Sequence, residues 1–359
     1  MQLREDRRIP VFLITGFLGA GKTTILSSLM AAGRLNDTLL IINEVGEVGV
    51  DQNLLQDSDL DAPVLLPGGC MCCSLKGDLG YTLRDIELRL ERGLAKQFRR
   101  VVIETTGIAD PAPILRTILT DRWVSARYRV GRSVAVADAQ YLVQTCRESE
   151  VSLSQLVHAD TVLLSKTDIV TDEQRTVALS HLATWAGDAE LLDARVALAA
   201  GWTLEPTVSV MARGFAAEIC CRLHAYQLIA GEYPHGIRTL EVAIREQIPW
   251  AVFSEAVDAF STSNSNTLLR MKGFASIREI PKAVCVQSVR TTFYPPQLLD
   301  LANDLPGLNT MTIIYRGELC GTSLEEFRRG VGPSCFSETP ADQRIELMGW
   351  MPPPAGIGV

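Results

Sequence analysis

Val11-Phe12-Leu13-Ile14-Thr15-Gly16-Phe17-Leu18-Gly19-Ala20-Gly21-Lys22-Thr23-Thr24 is the stretch whose reading decides the fold. The apolar run Ile9 to Ile14 reads as a buried strand, and Thr24 to Met30 reads as the first turns of a helix. Between them stands G-x-x-x-x-G-K-T, a phosphate-binding loop in the one context that makes it physical. Glycines at 16, 19 and 21 let the backbone take positive φ and turn its N–H groups inward as an anion nest. The nest opens at a helix N-terminus, whose unpaired N–H groups and dipole also favour phosphate. Gly16, Gly19, Ala20, Gly21, Lys22, Thr23 and Thr24 are therefore expected to bind a nucleoside triphosphate. Lys22 would reach the β- and γ-phosphates and the Thr23 hydroxyl would bind Mg²⁺.

The 359 residues suit about two domains. A content of 47% hydrophobic and 21% charged residues is that of an ordinary globular protein. The net charge of −8 argues against a nucleic-acid platform, which needs a basic footprint. The start, Met1 to Arg8, is charged and lacks an apolar segment of signal-peptide length, and no run approaches the ~20 apolar residues of a membrane span. A cytoplasmic protein without membrane or nucleic-acid partners is the expectation. In a reducing compartment its nine cysteines read as core residues, metal ligands or nucleophiles.

Within residues 1–232, read as one domain, strand-like and helix-like segments alternate as far as about residue 200, and 196–232 read ambiguously as a closing helix and a connection. Thr38 to Asn43, Ala62 to Leu66, Arg100 to Glu104, Ser133 to Ala137 and Thr161 to Ser165 read as strands. Leu75, Leu79, Leu83, Ile86, Leu90 and Leu94 recur at helical spacing, and Thr171 to Ala186 reads as a helix. The pattern predicts a mostly parallel α/β sheet covered on both faces, with ligands at the carboxyl ends of its strands. Residues 233–345 read as a smaller α/β unit. Its signals are the alternating Leu240, Val242 and Ile244, the helical face Trp250, Phe253, Val257 and Phe260, strands at Val284–Val286 and Met311–Tyr315, and a helix over Ser323–Gly330. Ser261 to Asn266 reads as a polar loop, and residues 346–359 as a disordered tail.

Three further motifs carry chemistry. Val101 to Gly107 is a strand ending in Glu104, followed three residues later by Gly107. A carboxylate there can hold Mg²⁺ directly or through water, and the glycine N–H can sense a γ-phosphate. Ser165-Lys166-Thr167-Asp168 ends another strand, where Asp168 can accept from guanine N1–H and N2–H while the Lys166 stem covers the base. Adenine lacks those donors and would leave the carboxylate unpaired. Gly68-Gly69-Cys70-Met71-Cys72-Cys73 places three thiols in four residues. In an extended loop Cys70 and Cys72 point the same way and a turn can bring Cys73 round, forming an open thiolate site for zinc or a related metal. The alternative is that these small residues pack a strand end.

Together these elements resemble the CobW family of phosphate-loop GTPases, which includes zinc metallochaperones. The resemblance is carried by GFLGAGKTT at 16–24, INEVGEVGVD at 42–51, GGCMCC at 68–73, IETTGIADP at 103–111 and SKTD at 165–168. It continues in LLRMKGFASI at 268–277 and the closing TIIYRGELCGTSLEEFRRGV. It implies a GTP-hydrolysing domain and a small C-terminal domain that deliver Zn²⁺, or a metal such as Co²⁺, to client metalloproteins. Glu44 and Glu47 fall in the family's nucleotide-responsive segment and are candidates for Mg²⁺ contact, water activation or an extra metal ligand, with Glu44 joining Glu104 and the charge-neutralising Lys22 as the catalytic candidates. Two departures stand out: Ser165 replaces the family's Asn, and no long His-rich stretch is present.

His158 reads as structural. Cys220, Cys221 and His224 have helical spacing suited to a metal but no second clue, and Cys146, Cys285, Cys320 and Cys335 read as packing residues. The rivals to a metal-delivering GTPase are a maturation factor for a cobalt or iron enzyme, a phosphate-loop metabolic kinase with structural cysteines, and a non-enzymatic GTP-binding regulator. The oligomeric state, homo-oligomer included, is open.

Overall fold

In a computed structural model, which describes residues 6–42, 64–65, 71–186, 189–205, 234–299 and 309–332 (64–65, 71–78, 234 and 299 as backbone only), the chain builds two sheets. The first comprises β1 (Ile9–Thr15), β2 (Thr38–Ile42), β3 (Val64–Leu65), β4 (Arg100–Glu104), β5 (Tyr128–Asp138), β6 (Thr161–Ser165) and β7 (Glu190–Asp193). Their spatial order is β3-β2-β4-β1-β5-β6-β7, and every pairing is parallel. Parallel strands need crossovers, supplied here by α1 (Lys22–Ala31), α2 (Met71–Glu91), α3 (Ala112–Thr120), α4 (Arg122–Arg127), α5 (Leu142–Glu148), α6 (Glu150–Val157) and α7 (Asp172–Trp185), with α8 (Ala194–Ala199) following β7.

Alternation along β1 divides the core. Phe12 and Ile14 pack with Ile25, Leu26 and Leu29 of α1 and with Ala194 and Ala197 of α8. Val11 and Leu13 face Leu79 and Leu83 of α2 and Ile114, Leu115 and Ile118 of α3. Both faces are covered, so the strands read as unbroken apolar runs. β1 sits between β4 and β5, so the loop leaving its carboxyl end lies at the centre of that edge.

The second sheet holds β8 (Ile237–Ala243), β9 (Leu268–Ser276), β10 (Ala283–Val289), β11 (Thr292–Phe293), β12 (Gln297–Leu299) and β13 (Thr310–Arg316). Its order is β11-β10-β9-β13-β8, with β12 also on β10, all antiparallel. One face buries Met271, Val284, Val286, Met311 and Ile313 against α9 (Trp250–Ser263) and α10 (Gly321–Val331), where the Phe260 and Phe327 rings lie 4.7 Å apart. From the rest of the sheet, Ile237, Leu269 and Ile314 join the core of the first unit around α6 and α7, and Val289 joins that around α3. The mostly parallel sheet and the smaller second unit stand as the sequence predicts.

Several expectations are corrected. Ser261 to Asn266 is not a polar loop: α9 runs to Ser263, and Asn264 is buried at its end. Its amide donates to Phe260 O and Ser323 Oγ and accepts from Cys320 N–H, so polarity here marks an internal joint. α2 stops at Glu91 and leaves Leu94 exposed. Cys72 and Cys73 lie in the first turn of α2, so that pair is helical where an extended loop was expected. The leucine periodicity that marks this helix extends back to Leu75, and helical hydrogen bonding carries the turn through the thiols. Cys320 is exposed beside the start of α10, whereas Cys146 and Cys285 are buried as expected. Glu44, Glu47, Cys70, Cys220, Cys221, His224, Cys335 and the tail lie outside the described residues, as do the side chains of Cys72 and Cys73.

Candidate nucleotide and metal site

At the end of β1, Gly19 and Gly21 have φ of 72° and 97°, a region that side chains strain to enter. An added Cβ at either would meet open space, so conformation rather than crowding calls for glycine there. Gly21 caps α1 with no side-chain hydrogen bond, and the first turn of α1 carries no acidic residue. A helix start with no side-chain cap and no acidic residue, opening on Lys22 below a turn of positive φ, fits an anion.

Lys22 is buried and folds back over the nest, donating from Nζ to Gly16 O at 2.8 Å and Phe17 O at 3.2 Å. Burial pushes its ammonium below the usual lysine range, and the Glu104 charge opposes that shift. The Thr23 hydroxyl donates to Glu104 Oε1 at 3.1 Å, joining the start of α1 to the end of β4. A hydroxyl beside a carboxylate is an oxygen donor set that fits a hard cation such as Mg²⁺. Thr24 is exposed and Ala20 buried.

Gly107 closes the site from the β4 side. A Cβ there would lie 2.6 Å from Leu18 N, so only glycine lets this turn rest on the loop backbone. Behind the turn, Gln155 of α6 donates from Nε2 to Gly107 O at 3.2 Å and Ala109 O at 3.1 Å. Gln155 was not singled out from the sequence, because a glutamine within a helical stretch carries no motif.

At the end of β6, the Ser165 hydroxyl lies 2.7 Å from Ala20 O and 3.1 Å from Ala137 O. It therefore ties the phosphate-loop backbone to β5 and β6. Lys166 adopts φ 57°, and its Nζ donates to Asp138 Oδ2 at 2.7 Å. Asp168 is half exposed, with Arg195 at 3.8 Å. Asp138 was also missed, although it ends a buried strand as Glu104 does. The structure thus gathers Gly16, Gly19, Ala20, Gly21, Lys22, Thr23, Glu104 and Gly107 at one end of the sheet, with Lys166 and Asp168 following the end of β6, two strands from β1. Among the described residues no group of three or more His, Cys, Asp and Glu side chains forms a metal cluster. No helix among them is long and apolar enough to cross a membrane.

Comparison with known proteins agrees with this geometry. The zinc chaperone YjiA of Escherichia coli K12 is 38% identical over 167 residues, 46% of this chain and 52% of that protein. The zinc-regulated GTPase metalloprotein activator 1 of Schizosaccharomyces pombe is 34% identical over 175 residues, 47% of this chain and 41% of that protein. The chain thus spans about half the length of the curated relatives it matches. The crystal structure of Zn(II)-bound YjiA GTPase from E. coli superposes with a TM-score of 0.60 at 24% identity, covering 91% of this chain and 100% of that one, which establishes the shared fold. The CobW/HypB/UreG nucleotide-binding domain matches residues 10–192, and the cobalamin synthesis protein cobW C-terminal domain matches residues 237–347. With half the chain matched by the first of these and much of the remainder by the second, the protein belongs to the CobW family.

Proposed function

We propose that the protein is a slow GTPase that couples its nucleotide state to the binding of zinc, or a related transition metal, and its delivery to client metalloproteins. The observation that carries the reading is the glycine nest at the end of β1, with Lys22 over it and Thr23 paired to Glu104. In this reading Lys22 leaves the Gly16 and Phe17 carbonyls for the phosphates, and Asp168 selects guanine over adenine. Mg²⁺ would be held by Thr23 with Glu104 nearby, where it neutralises phosphate charge. Glu104 and Glu44 are the carboxylates proposed to orient water. Cys70, Cys72 and Cys73 are the proposed ligands for the transported metal, and the backbone of two of them lies in the first turn of α2. The names of the relatives, a zinc chaperone and a zinc-regulated GTPase metalloprotein activator, support this assignment.

Nucleotide titration and phosphate release test it. Lys22→Ala is expected to weaken triphosphate binding about 10- to 100-fold, the worth of a charged hydrogen bond of ~1.5–3 kcal/mol, and to abolish turnover. Wild-type turnover without a partner is expected near 10⁻⁴ to 10⁻² s⁻¹, on the order of GTPases that lack an arginine finger. Equal binding of ATP and GTP, or unchanged hydrolysis in the Lys22 variant, contradicts the assignment.

A further inference from the structure

Helix α6 touches both the turn after β4 and the second sheet. On the first side, Gln155 is 1% exposed and both of its donor bonds go to one turn, at Gly107 O and Ala109 O. Ser154 Oγ adds a bond to Asp110 Oδ1 at 2.8 Å, and Asp110 in turn accepts from Ala112 N at the start of α3. On the second side, the carbonyls that end α6 are taken by Arg270 of β9. Its Nη1 donates to Val157 O at 3.0 Å and Ala159 O at 2.7 Å, and its Nη2 donates to Asp160 Oδ1 at 2.6 Å. Arg270 is 4% exposed, so it is locked in place by burial as well as by three bonds.

We propose that Gln155 is a positioning residue for the Gly107–Ala109 turn, and that α6 and Arg270 make the second sheet the output of the nucleotide's state. The inference rests on the nucleotide reading above and extends it to a route. Gly107 lies against the Leu18 backbone, and Glu104, three residues earlier, holds the Thr23 hydroxyl. A triphosphate with its cation competes for that hydroxyl and presses on that turn. Because Gln155 Nε2 bonds two carbonyls of the turn, moving the turn either breaks those bonds or draws α6 along. Two residues further on, the same helix ends at the carbonyls held by Arg270, and a guanidinium fork tolerates little misalignment.

Two details favour movement over a fixed strut. The Gln155 Oε1 is buried with no hydrogen-bond partner among the described residues, so only one half of the amide is anchored. A cavity of about 170 Å³, lined by Phe17, Tyr141, Thr145, Ser152 and Gln155, lies beside it and gives the side chain room. The helix C-terminus carries partial negative charge, which strengthens its hold on Arg270.

Hydrogen exchange of the full chain with GDP and with a non-hydrolysable GTP analogue tests the route, with protection of residues 16–24 as an internal report of binding. In the wild type the two nucleotides should give exchange rates differing by about fivefold or more at both 155–160 and 268–276, the size of a modest coupling energy. Gln155→Leu should keep protection of 16–24 and lose the difference at both distant segments. Arg270→Lys keeps the charge beside Asp160 but loses the fork. It should retain the difference at 155–160 and lose it at 268–276, which keeps the test open if the buried Gln155 variant does not fold. Protection of 16–24 with no difference at 268–276 in the wild type, or a difference there that survives either substitution, overturns the route alone. Absence of any protection of 16–24 overturns the nucleotide reading, and the route with it.

Discussion

Ser165 has one hydroxyl proton and two carbonyls within reach, Ala20 O and Ala137 O. An asparagine at this position would offer two amide protons to the same two carbonyls, where the serine shares one. The consequence is that the Ala20 carbonyl of the phosphate loop is held to the end of β6 by one shared proton at a buried site. Ser165→Ala removes it and leaves buried acceptors unpaired, which is expected to destabilise the chain by about 1–3 kcal/mol and to weaken guanine nucleotide binding. Thermal melting and nucleotide titration check both. Ser165→Asn is expected to raise guanine affinity slightly or leave it unchanged. A Ser165→Ala variant with wild-type melting and wild-type affinity would show that the tether contributes nothing.

Elements mark where the sequence was legible and where it was not. β4 and β6 have the limits read from the sequence, and β1, the nest and α1 follow the predicted order, because buried parallel strands are short apolar runs with sharp ends. β9 was harder to read as a strand, since Arg270 and Lys272 break its apolar run. The structure places both against Asp160, so the charges are internal partners rather than solvent markers. The segment from Ser261 to Asn266 failed for the same reason. Asn264 spends its polarity on the end of α9 and the start of α10, invisible until the two are adjacent. Asn264→Leu is expected to cost about 2–4 kcal/mol by stranding the Cys320 N–H and the Ser323 hydroxyl, seen as earlier melting of the second unit. At the site, the glycine nest was legible because its spacing is local. Asp138 and Gln155 were not, because their partners come from distant elements.

His158, at the end of α6, supplies a pH test of this layer. Burial pushes its imidazole below the ordinary 6.5; Asp110 and the Ser154 carbonyl oppose that, while Arg270 and Arg290 add to it. The unfolded chain therefore takes up a proton below about pH 6.5 that the folded chain refuses, so stability falls with acidification until the folded value is passed. The wild type should lose more stability between about pH 7 and pH 5 than His158→Gln, as measured by denaturant titration at each pH. Identical pH profiles would mean that His158 is not held neutral by the fold.

On the scale of the whole molecule, a parallel sheet carries the proposed nucleotide site at its carboxyl edge, and a second sheet is bolted to its helical layer through Arg270 and Asp160. Two of the three proposed thiolates, Cys72 and Cys73, belong to the first turn of α2, within the same unit as the nest. Metal and nucleotide can therefore influence one another only if the segments between them have two arrangements, and thermodynamic linkage makes any such influence equal in both directions. Zinc requires deprotonated thiolates, so its binding should also release protons and strengthen as pH rises through the thiol range. The most direct measurement is calorimetric titration of Zn²⁺ into the full chain, once with GDP bound and once with a non-hydrolysable GTP analogue. The account predicts two affinities that differ by about 5- to 150-fold, with zinc shifting GTP-analogue affinity by the same factor. Equal zinc affinities in the two states, with both nucleotides demonstrably bound, would contradict it.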